Sequence, residues 1–350
     1  MKILFLHDIY IKIGGAERYI TIKRNELEQK GHKSFLFTLT EEKNLKLKNS
    51  KILKLNKRGL FGSYLRMISI YFKLKNYINQ VKPNLIYIQN NYEFPYSFLK
   101  ACKGYKTIQK VHDYGIICPT RWCVYKDNLK VCDGKMGIKC LKHKCILFPL
   151  FLSYFFKLNY IKRNNVIKKY ITPSKTLKAY MLKNGFKNVI HLKHGVDIKE
   201  KKEKIKRKKN LFIYVGRLHK HKGVYLLINA IKEVVKIKPF VRFKIIGSGP
   251  EENRLKNLIK KYRIEKTIKF LGELKHKNLY RYYKEATATI VPSIWIENYP
   301  YVVLESIYFK TPVIGSDIGG IKEQIINRKN GILFKRNNKK DLVKKILMYV

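Results

Sequence analysis

A chain of 350 residues is longer than one hydrophobic core usually serves, so two domains of ordinary size are expected. Its 45% hydrophobic and 13% aromatic content excludes a mainly disordered polymer. A net charge of +52 would suit a polyanion, but the lysines run through every segment beside Ile, Asn and Tyr; this argues against a specific nucleic-acid surface and leaves a diffuse attraction to anionic membranes.

Lys2 to His7 reads as a first buried strand, followed by Ile13-Gly-Gly-Ala-Glu-Arg18 and a helix to Lys30. The Gly14-Gly15 pair at such a turn lets backbone approach a ligand with no Cβ in the way, although glycines there also serve structure alone. Ser34 to Thr38 makes a second strand, Glu41 to Leu60 is polar and basic with little periodicity, Tyr64 to Val81 reads as helix, and Asn84 to Ile88 as strand. Strands alternating with helices across short turns imply a doubly wound parallel sheet. The strand from Thr107 delivers His112 and Asp113 to its carboxyl end. A histidine there can hydrogen-bond a sugar hydroxyl or move a proton, or can be an ordinary satisfied side chain.

Five of the six cysteines fall between Cys118 and Cys145, with His143 among them. Met1 to Leu6 is too short an apolar run for a signal peptide, so the protein is expected in the cytoplasm, where clustered thiols bind metal or stay reduced before they form disulfides. No C-x-x-C spacing occurs. A structural zinc on Cys123, Cys132, Cys140 and Cys145 would staple an irregular insertion at 118–145; free thiols are the alternative. The apolar run Ile146 to Phe156 falls short of the roughly 20 residues that span a bilayer. It passes into mixed apolar and basic residues up to Tyr170, which suits either a helix packed in the first domain or one lying on a membrane.

Tyr170 to Ser174, a helix to Gly185 and a strand from Val189 lead to His194-Gly-Val-Asp197, which closes a first domain at 1–198. Residues 199–209 are nearly all Lys and Glu, as in an exposed linker, and a second domain covers 210–350. It restarts with the strand Leu211 to Val215 and Gly216-Arg217. Arg217 and Lys222, five residues apart, offer a guanidinium fork and an ammonium point charge that can share a diphosphate. Val241 to Ile246 runs into Gly247-Ser-Gly249, part of a dinucleotide fingerprint without its third glycine, which argues against a nicotinamide cofactor. Lys269 to Gly272 is a strand, Leu279 to Glu285 a helix and Ala286 to Pro292 a buried strand. Glu297-Asn-Tyr-Pro-Tyr-Val-Val-Leu-Glu305 then sets two carboxylates eight residues apart, across a turn into a helix beginning near Tyr301. Ligands bind there in open α/β sheets, and carboxylates beside an anion site suit the hydroxyls of a sugar nucleotide. The plain alternative is a solvated loop acid and a helix-surface acid. A strand at Pro312 to Gly315, a helix to Glu323, a strand at Asn330 to Phe334 and a helix from Asp341 complete the chain.

Gly216-Arg217, Lys222-Gly223 and the seven-residue interval between Glu297 and Glu305, with Val111-His-Asp-Tyr114 and Ile117-Cys-Pro119 upstream, resemble the retaining, nucleotide-sugar-dependent glycosyltransferases of family 4. The likeness runs from Met1 to the last residue and implies the GT-B fold: α/β, two Rossmann-like domains facing a cleft. It places His112 and Glu297 at the transferred sugar as catalytic residues, Glu305 at the ribose, Arg217 and Lys222 at the diphosphate, and Gly247 beside the nucleotide. Gly14 and Gly15 fall near the donor phosphates and the acceptor. Pro300 stands where the family usually has glycine and offers no N–H, so the amides of Tyr301 and Val302 are the expected phosphate donors. His194 stands where the family commonly has asparagine. Members usually continue into a further C-terminal helix, which would make this chain a fragment.

The implied reaction is transfer of a hexose-type sugar from a nucleoside diphosphate to an acceptor glycan or lipid-linked saccharide, with retention, in surface polysaccharide or glycolipid synthesis. It requires no cofactor, and its place is the cytoplasm or the inner face of the membrane. The alternative is a catalytically inactive GT-B-like protein that binds nucleotide or membrane.

Overall fold

The computed structural model describes residues 1–10, 14–42, 45–54, 60–92, 94, 98–196, 198 and 205–350, with 60–67 as backbone alone. Ile13, Asp197 and most of the expected linker lie outside the described residues. Two compact units form: Met1–Asp127 with Cys132–Lys193, and Asn128–Val131 with His194–Val350.

The first unit holds β1 (Lys2–Ile9), α1 (Gly15–Gln29), β2 (Lys33–Thr40), β3 (Ser50–Lys54), α2 (Leu60–Val81), β4 (Leu85–Ile88), α3 (Phe98–Ala101) and β5 (Thr107–Lys110). It continues with α4 (Ile138–Lys142), α5 (Phe148–Arg163), β6 (Ile167–Thr172), α6 (Lys175–Lys183) and β7 (Val189–His191). The strands form one parallel sheet in the order β3-β2-β1-β4-β5-β6-β7. Leu4, Phe5 and Leu6 on the central β1 are fully buried, an unbroken apolar run that only a strand covered on both faces tolerates. β3 falls inside the stretch whose sequence showed little periodicity. It pairs along β2 at the sheet edge and is only half-buried, so it carries no apolar signature.

The second unit holds β8 (Leu211–Val215), α7 (Val224–Ile237), β9 (Arg242–Ile246), α8 (Glu252–Lys261), β10 (Ile268–Phe270), α9 (His276–Glu285) and β11 (Ala288–Val291). α10 (Tyr301–Tyr308), β12 (Val313–Ser316), α11 (Gly319–Gln324), β13 (Gly331–Phe334) and α12 (Lys339–Leu347) follow. Its parallel sheet runs β10-β9-β8-β11-β12-β13. α7 buries Leu227, Ile228, Ile231 and Val234, a stripe at helical spacing, against Phe212, Ile245 and Ile290 of the sheet. Leu342 and Ile346, one turn apart on α12, join the same core, and Asn338 caps that helix by accepting from Asp341 N at 2.9 Å. Both units are Rossmann-like, as the alternating pattern predicts. Among the described residues no helix is long and apolar enough to cross a membrane.

Candidate active site

In the second unit β8 and β11 are neighbours, yet the chain leaves β8 toward β9 on one side and β11 toward β12 on the other. The carboxyl edge of an open α/β sheet at the point where its winding reverses is where ligands ordinarily bind. The loop after β8 brings Gly216, Arg217, Lys222 and Gly223; the loop after β11 brings 292–300. Ile294 N donates to His221 O at 2.9 Å, which ties the two loops together. Gly223 has φ 73°, and a Cβ there would lie 1.9 Å from Pro292 O, so glycine alone allows the approach.

This junction seats Lys222. Its Nζ donates to Glu297 Oε1 at 2.7 Å, and the same oxygen accepts from Ser293 Oγ at 2.7 Å. Lys222 Nζ also lies 4.8 Å from the centre of the Trp295 ring. With 22% of the lysine side chain and 7% of the glutamate side chain exposed, the pair is largely out of water, and each charge depends on the other. Arg217 is exposed, and its carbonyl accepts from Tyr214 OH at 2.9 Å, which fixes the bend after β8. Burial pushes the imidazole of His221 down to about 3 and also lowers that of His219, with the nearby cations adding to both effects. Gly247 closes the other flank: its φ is 133°, and a Cβ would fall 2.0 Å from Gly216 O.

Pro300 precedes α10, so Tyr301 and Val302 supply first-turn amides that have no acceptor within the helix. Glu305 sits one turn on and is buried. Its Oε1 lies 2.9 Å from His276 Nε2, and its Oε2 accepts from Tyr283 OH at 2.8 Å. Tyr280 OH lies 2.9 Å from His276 Nδ1. The two acids of the pair therefore answer to different partners, Glu297 to Lys222 and Glu305 to α9. The sequence reading missed Ser293, Trp295, His276 and Tyr283. Ser293 and Trp295 lie within four residues of Glu297 and could have been found there; His276 is 29 residues from Glu305 and gave no signal.

In the first unit His112 follows β5, and its Nε2 donates to Gln89 Oε1, at the end of β4, at 2.7 Å. The His112 ring meets Tyr19 edge-on at 5.2 Å. Lys110 beside it is buried, donates to Leu192 O at 3.0 Å, and is pushed by that burial down to about 7. Gly14 caps α1 and Gly15 opens it. A Cβ on Gly14 would fall 1.9 Å from Glu17 Oε2, so this glycine makes room for the carboxylate of its own helix, whose Oε1 lies 3.2 Å from buried His7 Nε2. Asp113 accepts from Gly115 N at 2.7 Å and from Tyr92 OH, which makes it a turn cap.

Of the four expected zinc ligands, Cys123 and Cys132 come within thiol hydrogen-bond reach of each other. Cys123 and Cys132 form thiol hydrogen bonds with Cys118, which lay outside the expected set, while Cys145 Sγ turns to His143 O at 3.7 Å. All six cysteines are free, and among the described residues no group of three or more His, Cys, Asp or Glu side chains could hold a metal ion. The insertion is anchored instead to α6, where Tyr180 OH donates to Cys132 O at 3.2 Å and Asn184 Nδ2 to Gly134 O at 3.0 Å.

The model of Glycosyltransferase Family 4 matches residues 13–200, and that of Glycosyl transferases group 1 matches residues 196–349. The chain belongs to this family of GT-B glycosyltransferases. An uncharacterized glycosyltransferase of Haemophilus influenzae is 30% identical over 158 residues, 45% of this chain and 44% of that one. The putative colanic acid biosynthesis glycosyltransferase WcaL of Escherichia coli is 26% identical over 142 residues, 39% and 35% of the two chains. The matches thus span less than half the length of these curated relatives. Among solved structures, Anabaena HepE in complex with UDP superposes with a TM-score of 0.71 at 17% identity, covering 99% of this chain and 89% of that one.

Proposed function

We propose that the chain is a retaining glycosyltransferase that moves a hexose-type sugar from a nucleoside diphosphate to an acceptor hydroxyl in surface polysaccharide or glycolipid synthesis. The observation that carries this reading is the Lys222–Glu297 pair at the point where the winding of the second sheet reverses, with Arg217 on the loop that carries Lys222 and α10 opening after the loop that carries Glu297. The UDP held by the Anabaena neighbour and the colanic acid synthesis for which the E. coli relative is named support the donor and the pathway class.

In this reading the diphosphate draws Lys222 away from Glu297 and shares it with Arg217 and the amides of Tyr301 and Val302. Negative charge grows on the departing diphosphate along the reaction, so these donors act more strongly in the transition state than on the bound substrate. Released from Lys222, Glu297 accepts from a sugar hydroxyl, and His112 is assigned to the same sugar. Glu305 is fixed by Tyr283 and His276 and is assigned to the ribose hydroxyls. Gly247 borders the nucleotide, and Gly14 and Gly15 fall to the phosphates and the acceptor.

A panel of sugar nucleotides screened by thermal shift identifies the donor, because a ligand that binds only the folded state raises the midpoint. With that donor, Arg217→Ala and Lys222→Ala should abolish both hydrolysis and transfer while the fold persists. Full activity in either variant removes the phosphate assignment, and binding without turnover in the unmodified protein would make the chain a nucleotide-binding relative of the enzymes.

A further inference from the structure

α5 has two faces of opposite character. Its inward face buries Leu158 and Ile161, directs Tyr154 OH to Gly115 O, and sends Lys157 Nζ to the carbonyls of Asn91, Tyr92 and Phe94 at 3.1, 2.9 and 3.2 Å. These contacts fix the helix and decide which residues look outward. Phe148, Leu152, Phe155 and Phe156 are then 62%, 41%, 40% and 64% exposed. Their spacing of i, i+4, i+7 and i+8 makes one continuous stripe. Leu147 and Leu150, 73% and 60% exposed, widen it at the helix start. A surface helix ordinarily carries polar side chains on that stripe, and a contiguous apolar patch on a domain marks a contact surface.

Where the stripe reaches Phe155 it meets a hollow of about 180 Å³, lined by Lys135, Lys162 and Lys183 around Met136, Phe155 and Asn159, with no acidic side chain among its lining residues. α4 adds Ile138, 81% exposed, together with Lys142 and with Lys139, which pairs with Asp133 at 3.5 Å. An apolar and aromatic stripe ending in a cluster of lysines matches a bilayer interface, where acyl chains lie beneath a layer of phosphates. A second copy of the chain would bring the same lysines against their own kind.

We propose that this face of the first unit docks on an anionic phospholipid bilayer, the α5 stripe entering the boundary between headgroups and acyl chains while the lysine-lined hollow receives a lipid phosphate. The inference is independent of the proposed transfer reaction, to which none of the residues of the stripe or the hollow is assigned.

Flotation with vesicles of phosphatidylglycerol or of phosphatidylcholine, at about 0.15 M salt, tests it. The whole chain should float with the first and not with the second. Phe148→Ser with Phe156→Ser should lower binding at least about tenfold, because two rings leave the interface. Lys135→Ala, Lys162→Ala and Lys183→Ala together should lower it on the order of a hundredfold, and the same charge loss on α8 (Lys256→Ala, Lys260→Ala, Lys261→Ala) should lower it far less. Apart from Lys162, which is half-buried with its ammonium 6.0 Å from the Phe186 ring centre, these side chains lie at the surface, so the melting midpoints of the other variants should match the parent; Phe156→Ser alone serves if the double phenylalanine variant fails to fold, and Lys135→Ala with Lys183→Ala serves if the triple lysine variant does.

Three results would overturn the proposal. Unchanged flotation of the phenylalanine variants removes the stripe, and equal losses from the two lysine sets leave only diffuse charge. Capture of inorganic phosphate by the hollow without flotation makes it a site for the free anion.

Discussion

Lys222 reaches Glu297 at 2.7 Å with most of its side chain out of water, so either group left alone is a poorly solvated charge. Glu297→Gln keeps the shape and an acceptor for Ser293 but frees the ammonium. Folding stability should fall by about 1–3 kcal/mol in urea titrations. Affinity for UDP by calorimetry should hold or rise, because the cation no longer has to leave an acid, while turnover falls. A joint fall in affinity and turnover would mean that the acid holds the nucleotide directly. Lys110 makes a pH prediction of a different kind. Burial holds its native pKa near 7, with Lys23 adding repulsion, so between about pH 7 and the usual lysine range near 10.4 the unfolded chain binds more protons than the native one. The destabilisation from this side chain is therefore fully present below about pH 7 and fades as pH rises. Comparing the parent with Lys110→Met cancels the titration of the other lysines. The difference in unfolding free energy should move in the parent's favour between about pH 7 and 10, and a flat difference would show that the ammonium stays charged in place.

At the scale of elements, the meeting of the loops after β8 and β11 depends on a glycine. Gly223→Ala has to keep φ 73° and push a methyl against the carbonyl of Pro292, backbone against backbone, which should cost about 2–4 kcal/mol and weaken nucleotide binding with it. Gly185 has φ 81° and nothing within 4 Å of a built Cβ, so Gly185→Ala should cost only about 1 kcal/mol. Equal urea midpoints for the two variants would show that the loop junction yields.

The sequence told these elements apart unevenly. The strand into Gly216 and the helix carrying Glu305 were legible because an apolar run and a turn residue state them locally. His276 was not, because its contact with Glu305 exists only once α9 and α10 fold side by side. The cysteine spacing announced a cluster but not its members: Arg121 and Cys123 adopt positive φ, and those turns, invisible in spacing, bring Cys118 in. The apolar run of α5 was legible as a helix. Which of its faces turns inward was set by the Lys157 and Tyr154 contacts to distant loops.

Across the whole molecule 76 basic side chains meet 24 acidic ones, so acids are shared. Glu285 is the clearest case, lying 2.6 Å from Arg281, 3.1 Å from Lys244 and 3.7 Å from Lys208. Burial alone would lift its carboxyl, but the Arg281 and Lys244 hydrogen bonds hold it below the usual range. With one acid serving several cations, the remaining lysines repel one another over distances that salt screens. The melting midpoint should therefore rise between about 0.01 and 0.15 M sodium chloride. A falling midpoint would mean that the shared pairs outweigh the repulsion.

The seat of Lys222 also bears on the thermodynamics of recognition. A lysine arm in water samples many rotamers and loses them on meeting an anion. Here Glu297 and the indole of Trp295 have already taken that freedom away. The ordering loss was incurred during folding, so the binding of a ligand at this edge of the sheet reflects the parting of that ammonium from its acid more than the stilling of a mobile chain.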